Sequence, residues 1–183
     1  DAEAAGRKRQ FQSVIFFMQA PQTPEQLEAL RRLSTCAVAN AIETFETRLR
    51  NEGFSGPGIR AMAPQQKPVV GYAVTVKIRN SSPPTGSHVY LEHTDWWNKI
   101  LEFPAPRIVV IQDVDPQPGL GALVGEVHAN ILKALGCVGV VTNGAVRDLP
   151  ALEGLGFAAF ASGVAVSHAY AHLVELGTPV EIA

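Results

Sequence analysis

The chain has 183 residues, 46% hydrophobic and 17% charged, with 15 Lys and Arg against 17 Asp and Glu for a formal net charge of -2. That length suits one domain able to bury most of its apolar surface, and the composition excludes a disordered chain. The near-neutral balance excludes the basic stripe that neutralises phosphates, so no nucleic-acid partner is expected; no apolar run reaches the ~20 residues that span a bilayer, so no membrane partner is expected either. Few charges in so apolar a chain point to surface buried in an oligomer. Cys36 and Cys137 lie in no C-x-x-C pair and near no second ligand at zinc spacing, which fits free thiols in a reducing, cytoplasmic setting. Cys137 opens the apolar run Cys137–Val141 and reads as core filling.

In chain order, Arg7, Lys8 and Arg9 precede the apolar stretch Phe11–Ala20, but Gln12, Ser13 and Gln19 interrupt it and no cleavage site follows. A leading helix is expected there, not a signal peptide. Thr23-Pro24-Glu25-Gln26 has the form of a capping box with proline in the first turn, starting a helix to about Leu33. Ser34 or Thr35 caps a second helix, whose apolar positions Val38, Ala41, Ile42 and Phe45 recur at three and four residues and which ends near Gly53. Glycine and proline then mark a loop to Pro68, and Val69–Ile78 reads as a strand closed by Asn80-Ser81-Ser82-Pro83-Pro84.

A short helix around Asp95–Leu101 leads to the strand Arg107–Val114, a long turn through Gly119 and Gly121, and a helix from about Ala122 to Leu135. Cys137–Thr142 is a buried strand, Asn143–Ala145 a turn, Asp148–Leu155 a short helix and Phe157–Ala161 a further strand. Valine-rich strands alternating with helices define an α/β fold. Val180–Ala183 has the look of a strand beginning where the sequence stops, as though the C-terminus were truncated.

In such sheets ligands collect at the carboxyl ends of strands. Two loops meet that description. Gly119–Gly121 leads toward Glu126, with glycines that let backbone N–H groups approach an anion at a helix N-terminus. Asn143–Asp148 delivers Arg147 and Asp148 side by side; the plain reading of Asp148 is the N-cap of the helix that follows. Together the loops supply an acid, a guanidinium and a hard oxygen ligand. Magnesium takes one or two carboxylates and keeps several waters, so Asp148 alone can hold it when the substrate also chelates.

Gly121-Ala122-Leu123-Val124-Gly125-Glu126, followed by Asn130, Ala134, Gly136 and Asn143-Gly144-Ala145-Val146-Arg147-Asp148, resembles the 4-hydroxy-4-methyl-2-oxoglutarate aldolase and RraA-like family. Twenty residues separate Glu126 from Arg147, the spacing of that family's acid and Arg-Asp pair. Gly71–Lys77 resembles its early strand, and the likeness runs over roughly residues 34 to 182. The resemblance implies a swivelling β/β/α domain of the RraA-like type over 34–183, preceded by a helical segment over 1–33, in a homotrimer or hexamer with the site near a subunit interface. By the same resemblance Asp148 binds Mg²⁺ or Mn²⁺ largely through water. Arg147 contacts the carboxylate or keto oxygen of a small 2-oxo acid, the backbone of Gly121, Ala122, Leu123 and Val124 helps bind it, and Glu126 positions a water for proton transfer. The implied activity is that of a class II pyruvate aldolase or oxaloacetate decarboxylase. The chain departs from the family in carrying Glu126 where some members have Asp, and in having no counterpart to the C-terminal strands after Ala183.

The alternative that the same resemblance raises is a non-catalytic regulator that binds an RNA-degrading endonuclease. The aspartate of the Arg147-Asp148 pair favours catalysis, because a binding surface has no need of that pair at a strand end. His168 and His172, four apart, would share a helix face; with Ala169 between them in place of a zincin glutamate they read as a surface or interface pair. His128 reads as an ordinary packed histidine, Trp96-Trp97 as core, and Asn40 is given no role.

Overall fold

The computed structural model describes residues 21–63, 68–85 and 92–182; the leading helix expected at Phe11–Ala20 lies outside them. α1 (Pro24–Arg31) begins as its sequence dictates: Thr23 Oγ1 accepts the Gln26 N–H at 3.3 Å and Gln26 Oε1 accepts the Thr23 N–H at 2.8 Å. α2 (Thr35–Glu43) is capped by Ser34, whose Oγ accepts the Ala37 N–H. It stops ten residues short of the expected Gly53. The Thr44 hydroxyl and N–H both turn back to the Ala41 carbonyl, Phe45 bonds Ile42, and Glu46 enters the left-handed region at φ 50°. Neither helix buries a residue, and Phe45, expected on the apolar stripe, is 72% exposed.

β1 (Arg60–Ala61) falls within the segment read as loop, and β2 (Tyr72–Arg79), α3 (His93–Leu101) and β3 (Arg107–Asp113) follow. α4 (Glu126–Ala134) starts four residues later than expected, because the Ala122 N–H is drawn to the Ser167 carbonyl and Gly125, in an extended conformation, is the N-cap. β4 (Cys137–Thr142), β5 (Ala145–Val146), α5 (Leu149–Gly154), β6 (Ala158–Ala161), β7 (Gly163–Val164) and β8 (His172–Leu176) complete the chain. His168 and His172 therefore share no helix: His168 lies in a turn and His172 opens β8, which is drawn into antiparallel pairing with β2. Val180–Ile182, expected to begin a strand, pair with none, and Ala183 lies outside the described residues.

The main sheet has the order β1-β6-β4-β3-β2-β8, with β2, β3, β4 and β6 mutually parallel and β1 and β8 antiparallel on the edges; β5 and β7 form a small parallel pair. Successive parallel neighbours joined through α3, α4 and α5 are the βαβ arrangement that alternating strands and helices imply. Side chains alternate across each strand, so Val74, Val76 and Ile78 of β2 stand in register with Val109, Ile111 and Asp113 of β3 on the buried face. Trp96 and Ile100 of α3, Ala129 and Leu132 of α4 and Leu152 of α5 complete that core at helical spacing. Each large member contributes about 1.5–3 kcal/mol of transfer free energy. The opposite face, with Thr75, Lys77, Val110 and Gln112, is only half-buried. No helix among the described residues is long and apolar enough to cross a membrane.

Candidate active site

The carboxyl ends of β2, β3 and β4 are tied together by buried polar groups. Asp113 Oδ2 accepts from Asn80 Nδ2 and the Gly119 N–H at 2.8 Å each, and its Oδ1 accepts the Asp115 N–H. Asp115 in turn accepts the N–H groups of Asn80 and Ser81 and the Ser81 hydroxyl. Asn143 closes the set: its Oδ1 accepts the Asp113 N–H at 2.7 Å and its Nδ2 donates to the Asp113 carbonyl. Burial by itself raises the Asp115 carboxyl, but the bonds from Ser81 and Asn80, with the Arg79 guanidinium 3.5 Å away, outweigh it and hold the carboxyl below its ordinary value. These bonds fix where the β3 and β4 loops leave the sheet.

From that base the two loops bring Glu126, Arg147 and Asp148 together. The Arg147 N–H donates to the Val124 carbonyl at 3.0 Å, which lays one loop on the other. Asp148 adopts φ 56°, ψ 43°, a left-handed conformation that aspartate tolerates better than most residues. Asp148 is the N-cap residue of α5, as the plain reading had it, but its carboxylate makes no cap bond there; Oδ2 instead accepts the Glu126 N–H, first of α4, at 3.0 Å and Arg147 Nε at 3.3 Å. Gly125 permits this approach: a Cβ there would stand 2.5 Å from Asp148 Oδ2 and 2.6 Å from Arg147 Cγ.

The four residues expected to present backbone to a ligand are all buried, Ala122, Leu123 and Val124 being no more than 5% exposed, and of these Ala122 and Leu123 line the cavity described below. The Ala122 N–H is already committed to Ser167, and Gly121 is glycine because a Cβ would stand 2.6 Å from the His168 carbonyl oxygen. The N–H groups of Leu123, Val124 and Gly125 have no acceptor among the described residues. Leu123 and Gly125 line the cavity described below while Val124 does not, so two unpaired donors ahead of a helix are placed for an anion.

Glu126, Arg147 and Asp148 open onto one cavity of about 360 Å³, whose wall is completed by His93, His128, His168 and the apolar side chains of Leu123, Val127 and Ala171. The three histidines were not read as site residues, since each comes from a separate element and only tertiary packing brings them together. A T-shaped contact sets the rings of His93 and His128 5.1 Å apart; His93 also stacks on Trp97, and Trp96 tilts against His128. Burial, assisted by His93, lowers His128 from 6.5 to about 4, so its ring is neutral at physiological pH. Cys137 lies in β4, buried, with burial pushing its thiol up to about 11 against the opposing pull of Arg107.

The donor set suits a hydrated hard cation better than a closed metal cage. Among the described residues no three His, Cys, Asp or Glu side chains form a metal-holding group, which excludes a structural zinc-type site there. Asp148 Oδ1 accepts no hydrogen bond among those residues, and the Glu126 carboxylate stands on the same cavity. One direct carboxylate with a second nearby is the arrangement that magnesium accepts.

A mixed α/β domain, with its polar residues gathered at parallel strand ends, is the class that the fold and cavity define. The RraA-like family model, described as Aldolase/RraA, matches residues 35–183, and the chain belongs to that family. Among solved structures it is similar to an uncharacterized protein from Pseudomonas syringae pv. tomato, with 20% identity, TM-score 0.69 and coverage of 92% of this chain and 71% of that one. A structure described as novel cellulases from microbes associated with the gut ecosystem aligns with 19% identity, TM-score 0.70 and coverage of 90% and 71%. Streptomyces coelicolor RraAS2, an unusual member of the RNase ES inhibitor RraA protein family, aligns with 20% identity, TM-score 0.65 and coverage of 88% and 76%. At these identities the likeness establishes the RraA fold, as expected from the sequence. A search of curated proteins finds no match.

Proposed function

We propose that the chain is a divalent-metal-dependent lyase that cleaves a carbon–carbon bond of a small 2-oxo acid to give pyruvate, by aldol cleavage of the 4-hydroxy-4-methyl-2-oxoglutarate type, oxaloacetate decarboxylation, or both. The observation that carries this reading is the convergence of Glu126, Arg147 and Asp148 on one cavity beside the free backbone N–H groups of Leu123 and Gly125. Asp148 is the residue that would hold Mg²⁺ or Mn²⁺, with water completing the shell. The ion, when bound, supplies a Lewis acid to the keto oxygen and carboxylate of the 2-oxo acid.

The chain's own residues do the rest. The N–H groups of Leu123 and Gly125 donate to the substrate carboxylate, and Arg147 lies where negative charge gathers as the bond beyond carbon 3 breaks and its electrons move into a pyruvate enolate. A preorganised donor of this kind contributes about 3 kcal/mol. In aldol cleavage the 4-hydroxyl proton passes to a water held by Glu126, the fragment beyond carbon 3 leaves as a carbonyl compound, and the water returns a proton to carbon 3. In decarboxylation carbon dioxide leaves and the same proton delivery completes pyruvate.

Val127, 70% accessible on the cavity lining, supports a homotrimer or hexamer in which a neighbouring copy closes the site. The test is pyruvate formation from 4-hydroxy-2-oxo acids and oxaloacetate with Mg²⁺, Mn²⁺ or no metal. Absence of turnover with every metal would move the chain to the regulator branch of its family, where a pull-down against an RNA-degrading endonuclease is the next measurement.

A further inference from the structure

The cavity lining is of two chemical kinds. One is the polar set of Glu126, Arg147 and Asp148 with the N–H groups of Leu123 and Gly125; the other is a wall of His93 and His128 backed by Trp96 and Trp97, with Val127 beside it. Trp96 is wholly buried behind that wall, so a group seated there faces ring edges and apolar carbon with little water behind them. The ring of His128, held neutral by burial and by His93, offers one N–H and one lone pair. That pattern matches a hydroxyl or a carbonyl. A carboxylate placed against it gives up hydration without gaining a counter-charge. Among the described lining residues Arg147 is the one Arg or Lys side chain, and it is paired with Asp148.

We infer that the His93–His128 wall receives the substrate beyond carbon 4 and selects 2-oxo acids whose tail is uncharged, an aldehyde-yielding 4-hydroxy-2-oxo acid over its counterpart with a second carboxylate at carbon 5. The inference rests on the lyase reading and names the substrate class within it. Oxaloacetate falls outside the selection, since it carries nothing beyond the carbon that leaves.

Equilibrium binding separates the two ideas without relying on turnover. The full chain with Mg²⁺ is titrated calorimetrically with pyruvate, 2-oxopentanoate and 2-oxoglutarate, the last two nearly equal in size and differing in tail charge. Measurement at pH 8 keeps free imidazole neutral. Pyruvate binding that depends on Mg²⁺ and is lost in Asp148→Asn reports the core site. 2-Oxopentanoate is expected to bind at least tenfold more tightly than 2-oxoglutarate. His93→Arg, on an exposed first turn of α3 and so compatible with folding, is expected to shift that ratio at least fivefold toward 2-oxoglutarate. Equal or tighter binding of 2-oxoglutarate by the parent, or a ratio unmoved by His93→Arg, overturns the tail selection while leaving the lyase reading intact. Loss of pyruvate binding itself overturns both.

Discussion

The Asp148 carboxylate accepts the main-chain N–H of Glu126 at 3.0 Å while the Asp148 backbone stands in the left-handed region. One residue thus ends the β4 loop and anchors the first turn of α4, which carries the candidate proton-transfer acid. The negative charge lies where the helix dipole favours it, and the proposed cation ligand is held rigid by the backbone it caps.

Asp148→Asn keeps both the acceptor and the tolerance of a left-handed backbone. Its unfolding free energy is expected to stay within about 0.5 kcal/mol of the parent, while metal-dependent pyruvate release falls by a factor on the order of 100 or more. Asp148→Ala removes the cap as well and places a Cβ without side-chain compensation at positive φ, so it is expected to cost a further ~1–2 kcal/mol in urea unfolding. Equal activity in the two variants and the parent would remove Asp148 from the site.

Gly125→Ala tests the close approach. With its Cβ 2.5 Å from Asp148 Oδ2, the carboxylate must swing off the Glu126 N–H. The expected result is a stability loss of about 1 kcal/mol, for the lost bond, with a much larger proportional loss of Mg²⁺ affinity, both readable by calorimetry.

Asp113→Ala leaves Asn80 Nδ2 and the N–H groups of Gly119 and Asp115 without their acceptor in a buried setting. A loss of roughly 2–4 kcal/mol is expected from the unsatisfied groups. Thermal unfolding would show it as a fall in Tm of several degrees. A loss below ~0.5 kcal/mol would show that the strand ends hold without this network.

Acid sensitivity should come in two windows. His128 is lowered to about 4 from 6.5, so between those values the unfolded chain binds a proton that the folded chain does not; stability then falls as pH drops from 6.5 toward 4, by on the order of 2 kcal/mol after solvent screening. His93 faces the same ring and supplies the smaller of the two causes, so His128→Gln should flatten this window while His93→Gln should only narrow it. Asp115, held below its ordinary carboxylate value, contributes stability present above the unfolded value and lost only at still lower pH. Denaturation curves from pH 7 to 3 resolve the two. A parent curve flat between 6.5 and 4 would contradict the burial of His128.

Local chemistry made much of this legible from the residues alone. The Thr23–Gln26 capping box, the bounds of Cys137–Thr142 and the two loops that bring Glu126 to Arg147-Asp148 all follow from short-range pattern. What stayed hidden depends on tertiary contact. Asp148 is followed by a helix and looks like its cap, yet the bond it makes reaches twenty-two residues back. His93, His128 and His168 arrive at the cavity from α3, α4 and a turn before β8, and no spacing announces that meeting. Arg60–Ala61 and His172–Leu176 are strands because an edge of the sheet pairs with them, not because their residues alternate strongly.

The most direct test is the rate of pyruvate formation from oxaloacetate, followed with Mg²⁺, after EDTA, and with Asp148→Asn under the same conditions. The account predicts turnover with Mg²⁺ that EDTA abolishes, Mg²⁺ restores, and the variant lacks. Metal-independent release equal in parent and variant, or no release with any divalent ion, would contradict it.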